Sequence, residues 1–381
     1  MQFIMKNKIK FKKIYKAPQV YESFNKKRID YLDIARAFAI ISVVLCHAVE
    51  FIYNVNLEGW LNLSVKSQIF RTIGFTVGRL GVPIFLLISG YLLLNRKYDN
   101  DDDVRNFYKK NLIPLILTTE IWIIIYNIFI VIYYNQKFDI YILIKEMFFV
   151  ETVPLMNMWY MPMIIGIYIA IPYLSKIVHS FSLKSLKIPM TIVFVLTFIL
   201  PTINIVLKTF KLEQYKNFLD INFLGGIYGI YIISGYFISN GIMKDIKTIN
   251  ITLISVIFFV LSCVIQIFEY NNNIEYNIWY NSPLLYLCTL NLFELFTRIN
   301  TGKISNKIKK EATYISKVSL AIYFIHIIVE MILNKYIKLI RVSNSSRVLI
   351  LFGISFIITF LIIWLFSKIK IIKTKVLLIK E

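Results

Sequence analysis

The sequence predicts an all-α fold: a polytopic integral membrane helix bundle with about ten transmembrane helices and both termini in the cytoplasm. Two observations predict it. Hydrophobic residues make up 57% of the 381 residues, and apolar runs long enough to cross a bilayer recur along nearly the whole chain. The Lys and Arg residues are concentrated in the tails and in alternate loops, as the positive-inside rule requires when the amino terminus is inside.

Each predicted span is a run of about twenty predominantly apolar residues. In chain order the spans are 31–53, 72–94, 112–134, 158–178, 188–207, 221–239, 250–270, 279–297, 315–334 and 348–368. Basic segments follow every second span, which places those segments inside. The predicted external loop 335–347 carries four basic residues and fits the charge rule less well.

The chain is predicted to hold one membrane domain, residues 31–368, between basic cytoplasmic tails at 1–30 and 369–381. The first tail lacks the apolar core of a cleavable signal sequence. A formal net charge of +21 would suggest nucleic-acid binding in a soluble chain. Here its distribution follows topology instead, so no nucleic-acid partner is expected.

No metal site and no bound cofactor are expected. The acidic run Asp99–Asp103 falls in a cytoplasmic loop, and carboxylates adjacent in sequence point in different directions. The three cysteines stand singly in apolar segments, without the spacing of a metal site or a disulfide framework. They are Cys46, Cys263 and Cys288.

The first span carries three ionisable side chains, which are costly inside a bilayer. Arg36 and His47 are eleven residues apart, so on an α-helix they differ by about 20° in direction and about 16 Å in height. Asp33 lies one turn before Arg36 and about 40° from His47. The three form one polar stripe. The alternative is structural: an Asp33–Arg36 pair and a hydrogen-bonded core histidine.

This stripe favours chemistry with an anionic donor from the cytoplasm. A neutral imidazole can take a proton from a hydroxyl, which makes His47 the candidate base. Arg36 keeps its charge and can hold an anion or polarise a group, with Asp33 beside it.

Five segments, in this order, resemble signatures of the membrane acyltransferase 3 family. LDIARAFAIISVVLCHA (Leu32–Ala48) resembles its first helix, an Asp-x-x-Arg followed by ten residues and a His. The others are RLGVPIFLLISGYLLL (Arg79–Leu94) for the second helix, FYKKNLIP (Phe107–Pro114) for the basic loop, MWYMPMIIGIYIAIP (Met158–Pro172) for the Trp-Tyr helix and SLAIYFIHIIVE (Ser319–Glu330) for the closing Tyr-x-x-His element.

The resemblance implies about ten helices and transfer of an acyl group, usually acetyl from acetyl-CoA, to a hydroxyl of a surface polysaccharide or lipid-linked glycan. It is closest to the bacterial surface polysaccharide O-acetyltransferase branch, which contains the enterobacterial common antigen O-acetyltransferase. It further implies that His47 is the essential catalytic residue, Arg36 its partner, acetyl-CoA the co-substrate, and the inner (cytoplasmic) cell membrane the location. The basic loop departs from the family, which often has Arg where this chain has Lys109, Lys110 and Asn111.

Three basic residues are candidates for binding the donor. Arg79 lies inside the second predicted span and needs an anionic partner, which would be the donor or, in a structural ion pair, Asp33 or Glu120. Lys109 and Lys110 are predicted at the cytoplasmic surface, where CoA carries its phosphates, although positive-inside topology accounts for them equally well.

Three further residues are candidates for binding the acceptor. Trp159 and Tyr160 can stack on sugar rings, or belong to an interfacial aromatic belt. His326 precedes Glu330 by one turn, a spacing that predicts a hydrogen-bonded pair with a structural role or a second role in the site.

The alternative function is transport, with His47 as the proton relay of a glycan exporter or flippase. No repeated halves are detectable in the sequence, and the ordered acyltransferase signatures also count against transport. Release of free CoA from an acyl donor would distinguish the two.

Overall fold

The computed structural model describes residues 29–153, 155–219 and 225–379. Within these ranges the chain is helical and contains no strand, which confirms the predicted all-α class. Eight helical segments are long and apolar enough to cross a membrane, and two further apolar helices are shorter. These segments match the predicted spans in order, so the protein is a multi-pass membrane protein. Most of the predicted amino-terminal tail lies outside the described residues.

The helices carry the following bounds. They are α1 (Asp30–Tyr53), α2 (Leu57–Leu61), α3 (Val65–Arg79), α4 (Gly81–Leu93), α5 (Asp101–Phe107), α6 (Ile113–Tyr134), α7 (Ile140–Met147), α8 (Tyr160–Ser180), α9 (Leu183–Phe194), α10 (Leu200–Thr209), α11 (Gly226–Ser239), α12 (Thr248–Asn271), α13 (Pro283–Thr297), α14 (Asn306–Ile337) and α15 (Asn344–Phe366). Short π-helical segments join α5 to α6 (Tyr108–Leu112) and α9 to α10 (Val195–Ile199), and a third follows α15 (Ile372–Val376).

Several helices extend beyond the predicted spans at their polar ends. The second membrane segment begins at Val65 rather than at residue 72, because Lys66, Ser67 and Gln68 lower the hydropathy of its first turn. It is also divided, since α3 ends at Arg79 and α4 begins at Gly81. Side chains of small polar residues cap many of these starts and satisfy backbone N–H groups that have no partner within the helix. Ser64 caps α3 in this way.

The first helix lies at the centre of the bundle. It packs against α14, α3, α4 and α15, and most of its side chains are buried. Contact with α3 is close, because a Cβ on Gly78 would overlap Cys46 of α1. This approach holds the end of α3 against the second half of α1.

Two glycines bring α4 and α11 into backbone contact. A Cβ on Gly90 would overlap the carbonyl group of Ile232, and a Cβ on Gly235 would overlap the carbonyl oxygen of Leu87. Small residues at helix interfaces are typical of membrane bundles, where close backbone approach replaces hydrophobic driving force.

The carboxyl-terminal segment, predicted as a basic cytoplasmic tail, packs on the bundle. The indole of Trp122 on α6 donates a hydrogen bond to the carbonyl of Val376 at 2.8 Å, and Leu377 is buried. Lysines alternate with apolar residues in this segment, so apolar side chains such as Leu377 can pack while Lys375 remains exposed.

Candidate active site

A histidine, a glutamate and an arginine form a continuous chain of contacts in the bundle interior. Nδ1 of His47 lies 2.7 Å from Oε2 of Glu50, one turn later on α1. Nη2 of Arg79 donates a hydrogen bond to the other oxygen, Oε1, at 2.8 Å. His47 is only 7% exposed. When Nδ1 donates to the carboxylate, Nε2 carries the lone pair that a general base uses.

Arg79 reaches this chain from the last turn of α3. Its Cζ lies 4.5 Å from the ring centre of Phe75 and 4.3 Å from that of Trp279. The ion-pair partners predicted for it, Asp33 and Glu120, are wrong, since its carboxylate partner is Glu50. The reason is the close packing at Gly78, which brings the end of α3 to the level of His47.

A second histidine lies beside the first. The ring centres of His47 and His326 are 5.4 Å apart, and His326 is fully buried. Nδ1 of His326 donates to the carbonyl of Ile322 at 2.8 Å, and its Nε2 has no hydrogen-bond partner among the described residues. The predicted pair with Glu330 is wrong, because Glu330 accepts a hydrogen bond from Ser355 on α15 instead.

Asp33 and Arg36 form a separate cluster nearer the start of α1. Nη1 of Arg36 lies 3.4 Å from Oδ1 of Asp33, which confirms the predicted pair. The hydroxyl of Ser316 on α14 joins them, 2.9 Å from Arg36 and 2.7 Å from Asp33. Asp33 is buried, whereas the side chain of Arg36 is 26% exposed.

A cavity of about 230 Å³ has Arg36 in its wall. Its walls come from α1, α4, α6, α8 and α14, and they are mostly apolar. Two tyrosines in the wall lead to the histidine pair: the ring centres of Tyr160 and Tyr323 are 5.6 Å apart, and Tyr323 is 6.3 Å from His326. Such a cavity can take a slender, largely apolar molecule with an anionic group near Arg36.

Comparison with protein families shows the family to which the chain belongs. The family model described as an acyltransferase domain, acyltransferase 3, matches residues 29–367. The chain belongs to the acyltransferase 3 family. It is therefore a multi-pass membrane acyltransferase, as its five signature segments predict. Neither the curated proteins nor the solved structures give a match to the chain.

The remaining predicted residues of this acyltransferase lie around the site at different depths. Lys109 and Lys110 are exposed on the π-helical turn before α6, and neither lines the cavity. Trp159, unlike its neighbour Tyr160, lies outside the cavity wall and packs in a group of rings. This group, called here the aromatic cluster, consists of Trp159, Tyr228, Trp279 and Tyr280.

Two residues of the acyltransferase site were not predicted from the sequence. Glu50 is three residues after His47, a spacing that places both on one face of a helix, and this signal could have found it. Trp279 begins the predicted eighth span without any periodic signal. Its contacts with Arg79, about 200 residues away in the sequence, and with Trp159 associate it with the site.

Among the residues that the structure describes, no group of three or more His, Cys, Asp or Glu side chains could hold a metal ion. The three cysteines are free and buried.

Proposed function

We propose that this membrane acyltransferase transfers an acetyl group from acetyl-CoA to a hydroxyl of a cell-surface polysaccharide or lipid-linked glycan, with His47 as the catalytic base or acyl carrier. The observation that carries the proposal is the contact of His47 with Glu50 near a cavity that has Arg36 and Tyr323 in its wall, with Tyr323 in turn beside His326. A histidine paired with a carboxylate is the arrangement that activates a nucleophile or a hydroxyl in acyl transfer.

The cavity is the proposed path of the donor. Its apolar wall suits the pantetheine arm of acetyl-CoA, and Arg36 offers a cation at the entrance. Lys109 and Lys110 lie at the protein surface on the side that positive-inside topology assigns to the cytoplasm, where they would contact the nucleotide phosphates. Arg79, a predicted donor-binding residue, lies outside this cavity, and we place it on the acceptor side.

Two routes use the same residues. In direct transfer, Nε2 of His47 takes the proton of the acceptor hydroxyl while the acceptor oxygen attacks the thioester carbonyl. CoA then leaves as the thiolate and receives that proton. In the two-step route, Nε2 of His47 first attacks the thioester carbonyl, and CoA leaves as the thiolate. The acceptor oxygen then takes the acetyl group from the imidazole, and the proton of the acceptor hydroxyl passes to the thiolate. In both, Glu50 stabilises the positive charge that develops on His47.

Arg79 and Asp33 have supporting roles in this proposal. Arg79 balances the charge of Glu50, so the carboxylate does not stand unpaired in the bundle interior. Asp33 and Ser316 hold Arg36 at the cavity wall. We place the acceptor on the opposite side of the inner cell membrane, because His47 lies about 24 Å along α1 from its cytoplasmic start.

The test is CoA release in proteoliposomes that contain the purified protein, acetyl-CoA and a glycan extract. His47→Ala is compared with His179→Ala, which removes an exposed histidine at the end of α8. We expect the wild type and His179→Ala to release CoA and acetylate glycan, and His47→Ala at an equal folded fraction to lose about 10²–10⁴-fold. If the wild type releases no CoA above empty liposomes across several acyl donors and acceptor extracts, the proposal fails and the exporter becomes the better hypothesis.

A further inference from the structure

We propose that the aromatic cluster is the acceptor site, in which Trp279 and Trp159 form the platform for a sugar ring. This inference rests on the proposed function and assigns the acceptor a position and a chemical class. The platform would bind a pyranose ring through its C–H face, leaving the hydroxyls at the ring edge free to reach His47.

The cluster is compact but open. The ring centre of Trp159 lies 5.7 Å from that of Trp279, 5.4 Å from Tyr280 and 5.9 Å from Tyr228. Tyr280 is buried, at 3% exposure, whereas 37% of Trp279 is exposed. If packing alone determined the position of Trp279, so large a side chain would be expected to be buried, because an aromatic ring can bury much apolar area.

Arg79 connects the cluster to His47 through Glu50. Its guanidinium covers part of the Trp279 ring, with Cζ 4.3 Å from the ring centre, and the same group donates to Glu50, which contacts His47. Successive contacts through Arg79 and Glu50 therefore link Trp279 to the imidazole. In the proposed complex, an edge hydroxyl of a ring bound against Trp279 reaches His47.

The polar groups at the boundary suit hydroxyls. Nε of Arg79 is buried and has no hydrogen-bond partner among the described residues, and the hydroxyl of Tyr280 lies 3.4 Å from Nη1 of the same guanidinium. The Arg79–Glu50 pair is neutral overall. A few convergent polar groups beside aromatic walls are typical of sites that bind a ring with hydroxyl substituents.

The start of α8 separates this platform from the donor cavity. Tyr160 lines the cavity and Trp159, one residue earlier, belongs to the cluster; their ring planes are nearly perpendicular, at 88°. Two adjacent residues therefore serve different substrates. The predicted acceptor role is retained for Trp159, while Tyr160 lies where the two substrates meet.

The experiment measures initial rates in proteoliposomes with a glycan fraction that the wild type acetylates. It compares Trp279→Ala, Trp279→Phe and Trp364→Ala, the last removing a tryptophan of α15 that is 56% exposed. We expect Trp279→Ala to raise the KM for glycan about tenfold or more. Trp279→Phe should restore part of the loss, and Trp364→Ala should match the wild type. The KM for acetyl-CoA should change less than the KM for glycan in both Trp279 variants, and slow hydrolysis of acetyl-CoA without glycan should remain detectable in all three.

An unchanged KM for glycan in Trp279→Ala, or an equal rise in the KM for acetyl-CoA, would overturn the platform while leaving the proposed function in place. Retained hydrolysis of acetyl-CoA shows that a variant is folded and binds donor. Failure of the wild type to acetylate any glycan would overturn the proposed function itself, and the platform with it.

Discussion

Glu50 lies between an imidazole and a guanidinium, and its two oxygens contact one each. This division fixes the orientation of His47 through one oxygen and compensates the partly buried negative charge through the other. The carboxylate makes no contact with the cavity, so its effect on the reaction is exerted through His47. Glu50 is in this sense a positioning residue.

Replacing Glu50 with Gln should lower kcat by about 10²-fold, because the neutral amide no longer stabilises an imidazolium at His47. The KM for acetyl-CoA should change little, since the cavity is intact. The matched control is Glu294→Gln, which removes a carboxylate paired with Arg298 at 2.7 Å outside the site. Both variants lose an ion pair and some stability, so rates are compared at equal folded fraction. A kcat equal to the wild type in Glu50→Gln would contradict the positioning role.

The sequence could predict the stripe of Asp33, Arg36 and His47 because ionisable residues stand out in an apolar span. It could not show that Glu50 contacts both His47 and Arg79, because Glu50 is close to the end of the span, where a charged side chain needs no explanation. The contact with Arg79 follows from the packing of α3 against α1, which depends on tertiary structure alone.

At the scale of helices, the contact between α4 and α11 depends on the absence of side chains at Gly90 and Gly235. Each glycine lies against a backbone carbonyl of the other helix, so neither helix can shift without opening the interface. Since α4 also lines the donor cavity and α11 supplies Tyr228, this rigid pair supports both proposed substrate sites.

Gly90→Ala should destabilise the protein by about 1–3 kcal/mol or more, because the new methyl group overlaps the Ile232 backbone, which cannot rotate away. The matched control is Gly166→Ala in α8, where a Cβ would meet no atom within 4 Å. That change should leave stability equal or raise it slightly, since alanine favours a helix. The unfolding temperature of each variant in detergent measures the difference. Equal temperatures for the two variants would show that the α4–α11 contact is loose.

Hydropathy predicts the helices well because a bilayer requires long apolar segments, and the described residues contain eight such segments and two shorter apolar helices. It cannot predict the break at Leu80 or the π-helical turn at Tyr108–Leu112, since both lie within continuous helical patterns and depend on neighbouring helices. It also gives no information on which helices touch, so the meeting of α1, α3 and α14 at His47 could not be read from the sequence.

At the scale of the molecule, the helix ends agree with a single alternating path across the membrane. The end of α1 meets the start of α15, where the hydroxyl of Tyr53 lies 3.0 Å from that of Ser345. The end of α12 meets the segment after α1, where Trp60 stacks on Tyr270 at 4.8 Å. The aromatic cluster precedes α8 and α13 and begins α11, so we place it at this same end.

A labelling experiment tests the proposed orientation. Lys310→Cys at the start of α14 should react with a membrane-impermeant maleimide only from the cytoplasmic side, and Asn272→Cys after α12 only from the outside, since both positions are exposed. The wild type is the control, because its three cysteines are buried and should react little. Labelling of both variants from the same side would refute the alternating topology.

The position of His47 between the donor cavity and the aromatic cluster determines the charge balance of the proposed reaction. The acetyl group leaves the CoA thiolate as the equivalent of an acyl cation, and the proton of the acceptor hydroxyl replaces it on the CoA sulfur. Because one positive equivalent moves outward for each one that moves inward, donor and acceptor each keep their net charge. The transfer is therefore electroneutral, so a membrane potential neither drives acetylation nor opposes return of the acetyl group to CoA.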